Sequence, residues 1–339
     1  MKVFIRILEI LAALSIVVTV LGACEEKAAT TASGESGKIL RYQQPASIVY
    51  PVELAADLGY LGDVQLESVG NYKGGPESIQ LTATGEIDFG WAFNGALVKS
   101  ASKNVNLVSV IGAYGSDDVN FTGAYVLEES EIDEPKDLIG KKVGVNILGA
   151  HSEFTLVEYL RQGGLNEAEI KQVQLVTIPT TNAEQSLRAG HLDAILLLGA
   201  PQDLALERGG LKRLFTDTEV FGFNFTGGNY FFTEAFVEEN PETVQQFVEG
   251  IAKAIEWART TPREEVITRF ADIIEKRPGN ESTDYVQYWK SFGIANEGGV
   301  IADEEFDVWI DWLVKSGELQ EGDIQVKDLY TNEFNPYAK

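Results

Sequence analysis

The sequence predicts an α/β protein of two similar lobes behind an export segment. Three observations carry this. Strand signals alternate with helical signals from Ile39 onward, a small-Gly-x-aliphatic-Asp turn occurs once in each half, and an apolar run near the N-terminus stops at a cysteine.

Lys2 and Arg6 make the start of the chain positive, and Ile10–Leu21 is uncharged and mostly apolar. That run is shorter than the about 20 apolar residues a membrane-spanning helix needs, and it fits the apolar core of a signal peptide. It ends in Leu21-Gly22-Ala23-Cys24, which resembles the lipobox of bacterial lipoproteins. The resemblance implies a signal peptide over residues 1–23 and lipidation at Cys24. Two acyl chains there would give stable membrane attachment. Cys24 is the sole cysteine, so no disulfide or thiolate metal site can form within one chain. Residues 24–37 are small and polar without hydrophobic periodicity, and read as a flexible tether.

The rest is long enough for two lobes with real cores, and 44% of the chain is hydrophobic. A net charge of −25 argues against nucleic acid and against a broad footprint on an anionic membrane. It leaves the ligand open, because a binding site is local and net charge is not.

In the first half, Ile39–Gln43, Val64–Val69, Ile87–Phe93 and Leu107–Ala113 read as short buried strands, with helical stretches at Pro51–Leu58 and Pro76–Thr84. This is the alternation of a mostly parallel sheet. The pattern restarts with strands at Lys142–Asn146, Val173–Ile178, Ala194–Leu198 and Leu211–Phe215. Helices fit Ser152–Gln162, stopped by Gly163-Gly164, and Ala183–Ala189. Thr84-Gly85-Glu86-Ile87-Asp88-Phe89 and Ala189-Gly190-His191-Leu192-Asp193-Ala194 hold the same place in each half. Their glycines suit the left-handed conformation that closes a helix. The motif is either a common helix-to-strand turn or the mark of a duplicated lobe. The tail differs. Asn240-Pro241-Glu242 starts a helix with Asn as cap, and Val244, Phe247, Val248, Ile251, Ile255 and Ala258 form its apolar stripe. Phe306, Trp309, Ile310 and Leu313 repeat that spacing, and Trp257, Trp309 and Trp312 read as packing residues.

The motifs together resemble the SsuA/THI5-like group, the nitrate-, sulfonate- and taurine-type solute-binding proteins. The likeness rests on Asp88-Phe89-Gly90 opening into Trp91–Gly95, on Pro135–Val145, on Leu187–Asp193 before a strand ending in Gly199-Ala200-Pro201, and on Phe236-Val237 with Asn240-Pro241-Glu242. It implies a two-lobed, type II periplasmic-binding-protein-like α/β fold with a helical C-terminal tail. Lobe 1 would comprise residues 38–115 and 222–339, and lobe 2 residues 116–221. Two strand-like crossings, Tyr114–Gly123 and Gly222–Tyr230, would form the hinge, with glycines 112, 115, 123, 222, 227 and 228 permitting rotation.

In open α/β sheets ligands sit beyond the carboxyl ends of the strands. Those ends carry Gln44 and Ser47, then Tyr72, Lys73 and Gly75, then Trp91, Asn94 and Gly95. The second half contributes Asn146, Gly149, Ala150, His151 and Ser152, then Thr181 and Asn182, then Ala200, and Tyr230 would approach from the second crossing. Short polar residues at helix starts expose backbone N–H groups to anions. Asn94-Gly95-Ala96 and Gly149–Ser152 suit that role best, and each also reads as an ordinary helix cap. Ala150-His151 replaces the small hydroxyls the family usually has at this turn, which loosens any transfer of ligand identity. His151 is either a donor to an acidic ligand or a first-turn surface residue, and His191 is expected to be exposed. Tyr72-Lys73 would act as a lid, with Lys73 either facing an anion or merely solvated, while Trp91 and Phe93 would wall an apolar or aromatic portion of the solute.

No nucleophile elbow, phosphate loop or metal spacing is found in the sequence. No catalysis and no cofactor or metal are therefore expected. The expected protein is a monomeric, exported, lipid-anchored receptor on the outer face of the cytoplasmic membrane or the periplasmic side of a membrane. It would hand a small, sulfonate-like anion to an ABC permease served by a cytoplasmic ATPase. A thiamine-precursor pyrimidine or other aromatic solute is the alternative ligand, and a ligand-sensing lipoprotein serving a signalling receptor is the alternative function.

Overall fold

The computed structural model describes residues 39–338. The expected signal segment, Cys24 and the tether lie outside the described residues. In chain order the first elements are β1 (Ile39–Gln44), α1 (Pro51–Asp57), β2 (Gln65–Asn71), α2 (Gly75–Ala83), β3 (Phe89–Phe93), α3 (Asn94–Ala101) and β4 (Leu107–Ser116). Then come β5 (Gly123–Leu127), β6 (Lys142–Val145), α4 (His151–Gln162), α5 (Glu167–Ile170), β7 (Gln174–Thr177), α6 (Thr180–Arg188), β8 (Ala194–Leu197), α7 (Gly199–Arg208), β9 (Leu211–Thr216) and α8 (Asp217–Phe221). The chain finishes with β10 (Phe225–Thr233), α9 (Glu234–Glu239), α10 (Pro241–Thr260), α11 (Arg263–Glu275) and α12 (Glu304–Lys315).

The strands fall into two groups with one plan. In the first, β1 pairs in parallel with β2, and β10 lies antiparallel between β3 and β4. In the second the order is β7-β6-β8-β5-β9, with β5 antiparallel between β8 and β9. Each group thus receives one antiparallel strand: β10 begins within the second expected crossing, and β5 begins where the first ends. The expected mostly parallel sheets are instead a parallel pair β1-β2 and an antiparallel β3-β10-β4 in the first group, and a mixed five-stranded sheet in the second.

The repeated turn joins the plan together. Gly85 and Gly190 take φ of 74° and 72°, the left-handed conformation that glycine adopts without a Cβ penalty. Three residues on, Asp88 donates its N–H to the Arg41 carbonyl at 2.9 Å and accepts the Arg41 N–H at 2.7 Å. Asp193 does the same with Lys142, at 2.9 and 2.8 Å. In both groups a carboxylate takes a backbone N–H beside the ladder, fastening the start of β3 to β1 and the start of β8 to β6. The Arg41 guanidinium adds an ion pair to Asp88 at 2.6 Å.

The helical stripe predicted for the tail is buried. Val244, Phe247, Val248 and Ile251 are fully enclosed against Phe89, Tyr230 and Phe232 of the first sheet. Asn240 does not cap α10. Its side-chain amide donates to the Phe236 carbonyl at 3.2 Å, closing α9 instead. In α12, Trp309 packs on Phe93, Phe154 and Phe221, and Trp312 on Phe154 with the Arg161 guanidinium 5.0 Å from its ring. This helix therefore touches residues from both strand groups.

Among the six glycines expected to permit hinge rotation, only Gly222 has a left-handed backbone, at φ 80°. Gly115 and Gly228 are required for space. A Cβ at Gly115 would meet the Phe225 carbonyl at 2.2 Å, and one at Gly228 would meet the Tyr114 ring at 2.4 Å.

Candidate functional site

Four aromatic side chains converge at the carboxyl end of the first strand group. Trp91, from β3, is fully buried and stacks on Tyr72 with ring centroids 4.3 Å apart and planes 15° apart. Tyr50, just before α1, lies 5.6 Å from Trp91 and 6.0 Å from Tyr114 of β4, the latter edge-on. Such offset and edge-on pairs are the favoured aromatic geometries. The position of Tyr114 depends on Gly228, over whose bare Cα its ring lies.

Tyr50, Tyr72 and Tyr114 keep part of their surface accessible, yet burial raises the pKa of all three phenols, that of Tyr50 to about 12. The three tyrosine rings are thus deep yet keep some accessible surface around the fully buried Trp91. The Tyr72 hydroxyl donates to the Trp91 carbonyl at 3.3 Å. Among the described residues the Tyr50 and Tyr114 hydroxyls have no hydrogen-bond partner, and the buried Trp91 Nε1 has none either. Ile147 Cδ1 comes within 3.3 Å of where a Cβ on Gly74, two residues after Tyr72, would stand. The loop after β6 therefore reaches the first group at this point.

The proposed site residues divide into three sets. Trp91 and Tyr72 form the recess. Asn146, Gly149, Thr181, Asn182 and Ala200 lie at the ends of β6, β7 and β8, half-buried or exposed. The remaining residues have their polar groups or their space committed elsewhere. Asn94 is fully buried, donates to the Thr226 and Glu305 carbonyls at 2.8 and 3.1 Å, and accepts from Asn229 at 2.7 Å. A Cβ at Gly95 would strike the Phe93 ring at 2.5 Å, and one at Gly75 would strike Ala92 at 2.9 Å, so both serve close packing. Tyr230 supports Trp91 from below, its hydroxyl accepting the Val52 N–H at 3.3 Å. The Ser47 N–H and the Gln44 amide donate to Glu281 at 2.6 and 3.3 Å. Lys73 is 73% exposed and paired with Glu77.

The turn before α4 is also occupied. The Gly149 N–H donates to the Glu153 carboxylate at 2.6 Å, so the protein supplies its own anion to this helix start. Ser152 is buried and Ala150 half-buried. His151 is half-buried: Nε2 lies 2.7 Å from Asp217 Oδ2, and the ring lies among Phe93, Phe225 and Trp309. Burial alone would raise the Asp217 pKa. The hydrogen bond and charge of His151, with Ser116 Oγ donating at 2.6 Å, hold it below the usual range. Ser116 ends β4 and Asp217 begins α8, so this cluster fastens the first crossing and α4 to the helix that precedes the second crossing.

Tyr50 and Tyr114 are missing from the sequence-based site. Tyr50 sits at the end of a strand-to-helix loop, where a ligand contact would be sought. Tyr114 lies inside a predicted crossing, and nothing local marks it.

The sequence profile described as NMT1/THI5 like matches residues 49–265. The chain is 22% identical to the 4-amino-5-hydroxymethyl-2-methylpyrimidine phosphate synthase THI12 of Saccharomyces cerevisiae, over 87% of this chain and 85% of the yeast protein. Its fold is similar to that of the periplasmic aliphatic sulphonate binding protein SsuA of Escherichia coli, with a TM-score of 0.65 at 20% identity, covering 86% of this chain and 91% of SsuA. It is also similar to the periplasmic nitrate-binding protein NrtA of Synechocystis PCC 6803, with a TM-score of 0.63 at 11% identity, covering 88% and 87%. The α/β architecture is the type II periplasmic-binding-protein fold, and the chain belongs to the NMT1/THI5-like family.

Proposed function

We propose that this protein is the solute-binding component of an ABC importer and that its solute is a flat, uncharged or weakly charged heterocycle, with a pyrimidine as the leading class. The aromatic recess of Tyr50, Tyr72, Trp91 and Tyr114 carries this reading. Stacking against such rings favours planar π-systems, and the free hydroxyls of Tyr50 and Tyr114 supply polar contacts that fix orientation. Among the described residues, Lys73 beside Tyr72 is paired with Glu77, and Arg277 behind the Tyr50 loop is paired with Glu53 and Glu281. The yeast relative's name points to the same chemical class.

A sulfonate or nitrate is the second reading. The solved relatives that bind such anions favour it, together with the helix starts after β6, β7 and β8. The carboxylate of Glu153 at the first of these starts weighs against it.

The side chains forming the recess include no nucleophile beside a base, which supports capture rather than catalysis. Ile48, Leu148 and Leu198, each just after a strand or at its end, leave 51%, 50% and 40% of their surface exposed, which suits docking of the loaded form onto a permease. Export and lipid attachment at Cys24 complete the proposal.

A thermal-shift panel tests it, with 4-amino-5-hydroxymethyl-2-methylpyrimidine, thiamine, taurine, alkanesulfonates, nitrate and bicarbonate as candidate solutes. A ligand at 100 times its Kd adds about 2.7 kcal/mol of stability. The proposal expects that gain from the pyrimidine arm. A gain from the sulfonate arm alone moves the ligand to the second reading. Turnover of any panel member would contradict the binding-only role.

A further inference from the structure

The loop that delivers Tyr50 is held by a segment far away in sequence and outside the matched family span. This loop, Pro45–Val49, contains Ser47 at φ 57°, a left-handed backbone that costs a non-glycine residue strain and persists only where the surroundings impose it. Here the surroundings are two charged side chains just after α11. Arg277 is 6% exposed at its side chain. It donates to the Pro45 carbonyl at 3.0 Å and to the Ile48 carbonyl at 2.7 Å, gripping the loop on both sides of Ser47. Glu281 accepts the Ser47 N–H at 2.6 Å and the Gln44 amide at 3.3 Å, and is itself paired with Arg277 at 3.0 Å. Arg277 also pairs with Glu53 of α1 at 2.9 Å, and Glu53 accepts from the Tyr42 hydroxyl at 3.0 Å. Carbonyls and amides in one short loop are thus met by a matched cation and anion, with α1 tied to the same cation.

We infer that Arg277 and Glu281 are positioning residues for the binding site: they preorganise the Pro45–Val49 loop so that Tyr50 stands against Trp91 and Tyr114 before any solute arrives. The inference rests on the aromatic-recess reading for its binding consequence but not for its loop consequence. Preorganisation strengthens binding by removing an ordering cost. Without Glu281, Ser47 loses the acceptor that offsets its strain and Arg277 loses one of its two carboxylate partners. The loop then samples other conformations and Tyr50 leaves the recess for part of the time.

The experiment compares wild-type full chain with Glu281→Ala and Glu281→Gln. Amide hydrogen exchange is read by mass spectrometry without solute, and affinity for 4-amino-5-hydroxymethyl-2-methylpyrimidine is measured on the same samples. In Glu281→Ala, amides 46–50 are expected to exchange roughly 10-fold faster, the loss of a hydrogen bond to a charged group. Exchange in α10 stays unchanged and the pyrimidine Kd rises by a similar factor. Glu281→Gln keeps an acceptor for Ser47 and restores most of both. Unchanged exchange at 46–50 overturns the inference, as does faster exchange spread across the whole first strand group. So does a loosened loop with undiminished affinity. A wild type that ignores the pyrimidine refutes the ligand reading, and the exchange arm still decides the clamp.

Discussion

Gly228→Ala separates a role in the site from a role in folding. Gly228 is in β10, and its added Cβ would stand 2.4, 2.5 and 2.6 Å from Cζ, Cε1 and the hydroxyl of Tyr114. Carbon atoms in contact prefer about 3.5–4.0 Å, so the ring must retreat by roughly 1 Å or more. It is the far end of a side chain on the recess, with accessible surface beside it, so it can move without displacing backbone. Retreat abandons the edge-on contact with Tyr50, which such pairs value at about 0.5–1.5 kcal/mol. Overpacking of this kind costs about 1–3 kcal/mol when a core must adjust, and the open side keeps the cost at the lower end. Affinity should fall further than stability, by roughly 10-fold, because a whole wall of the recess moves. The assay is a double-mutant cycle with Tyr114→Ala, read by calorimetric titration and thermal unfolding. Once the ring is gone, the alanine at 228 has nothing to strike, so the double variant should bind like Tyr114→Ala alone. Additive losses, or wild-type affinity in Gly228→Ala, would refute the placement of Tyr114 in the site.

Other substitutions test separate parts of the structure. Asp193→Ala removes the acceptor for the Lys142 N–H and should cost about 1–3 kcal/mol in denaturant unfolding, and Asp88→Ala should cost at least as much because Arg41 also loses its partner. His151→Ala strips the fully buried Asp217 of its imidazole partner. The loss should be about 3–5 kcal/mol by the same measurement. Burial raises the Glu305 pKa to about 7. A carboxyl raised in the folded state contributes stability below its unfolded pKa and loses it as pH rises through the folded value. Unfolding midpoints should therefore fall between about pH 4.5 and 7, by up to roughly 3 kcal/mol in stability for this group, and Glu305→Gln should flatten that slope.

Much of the fold is legible because apolar strands alternate with capped helices. The eight strand segments that follow this alternation form, as do the helical stretches between them. The Gly85–Asp88 and Gly190–Asp193 turns also predict more than a helix stop, since their aspartates fasten β3 to β1 and β8 to β6. β5 and β10 escape as sheet strands because their partners are remote: β10 pairs with β3 and β4. Glycines at 123, 227 and 228 also dilute their strand signal. In the site, the strand-end rule finds Trp91 and Tyr72 but cannot weigh competing partners. Asn94, Ser47 and His151 are polar residues at the right ends, and each is taken up by a protein partner that only the three-dimensional arrangement supplies. Arg277 and Glu281 are two charges among many in an acidic chain, and no local pattern marks them as grips on a distant loop.

Calorimetric titration of the protein with 4-amino-5-hydroxymethyl-2-methylpyrimidine and with taurine, repeated on Tyr72→Ala and Tyr114→Ala, tests the central claim most directly. The claim predicts saturable, one-to-one binding of the pyrimidine by wild type, loss of roughly 10-fold or more in each variant, and no heat from taurine. Taurine binding that ignores both substitutions would contradict it, because the solute would then be held by something other than the aromatic recess.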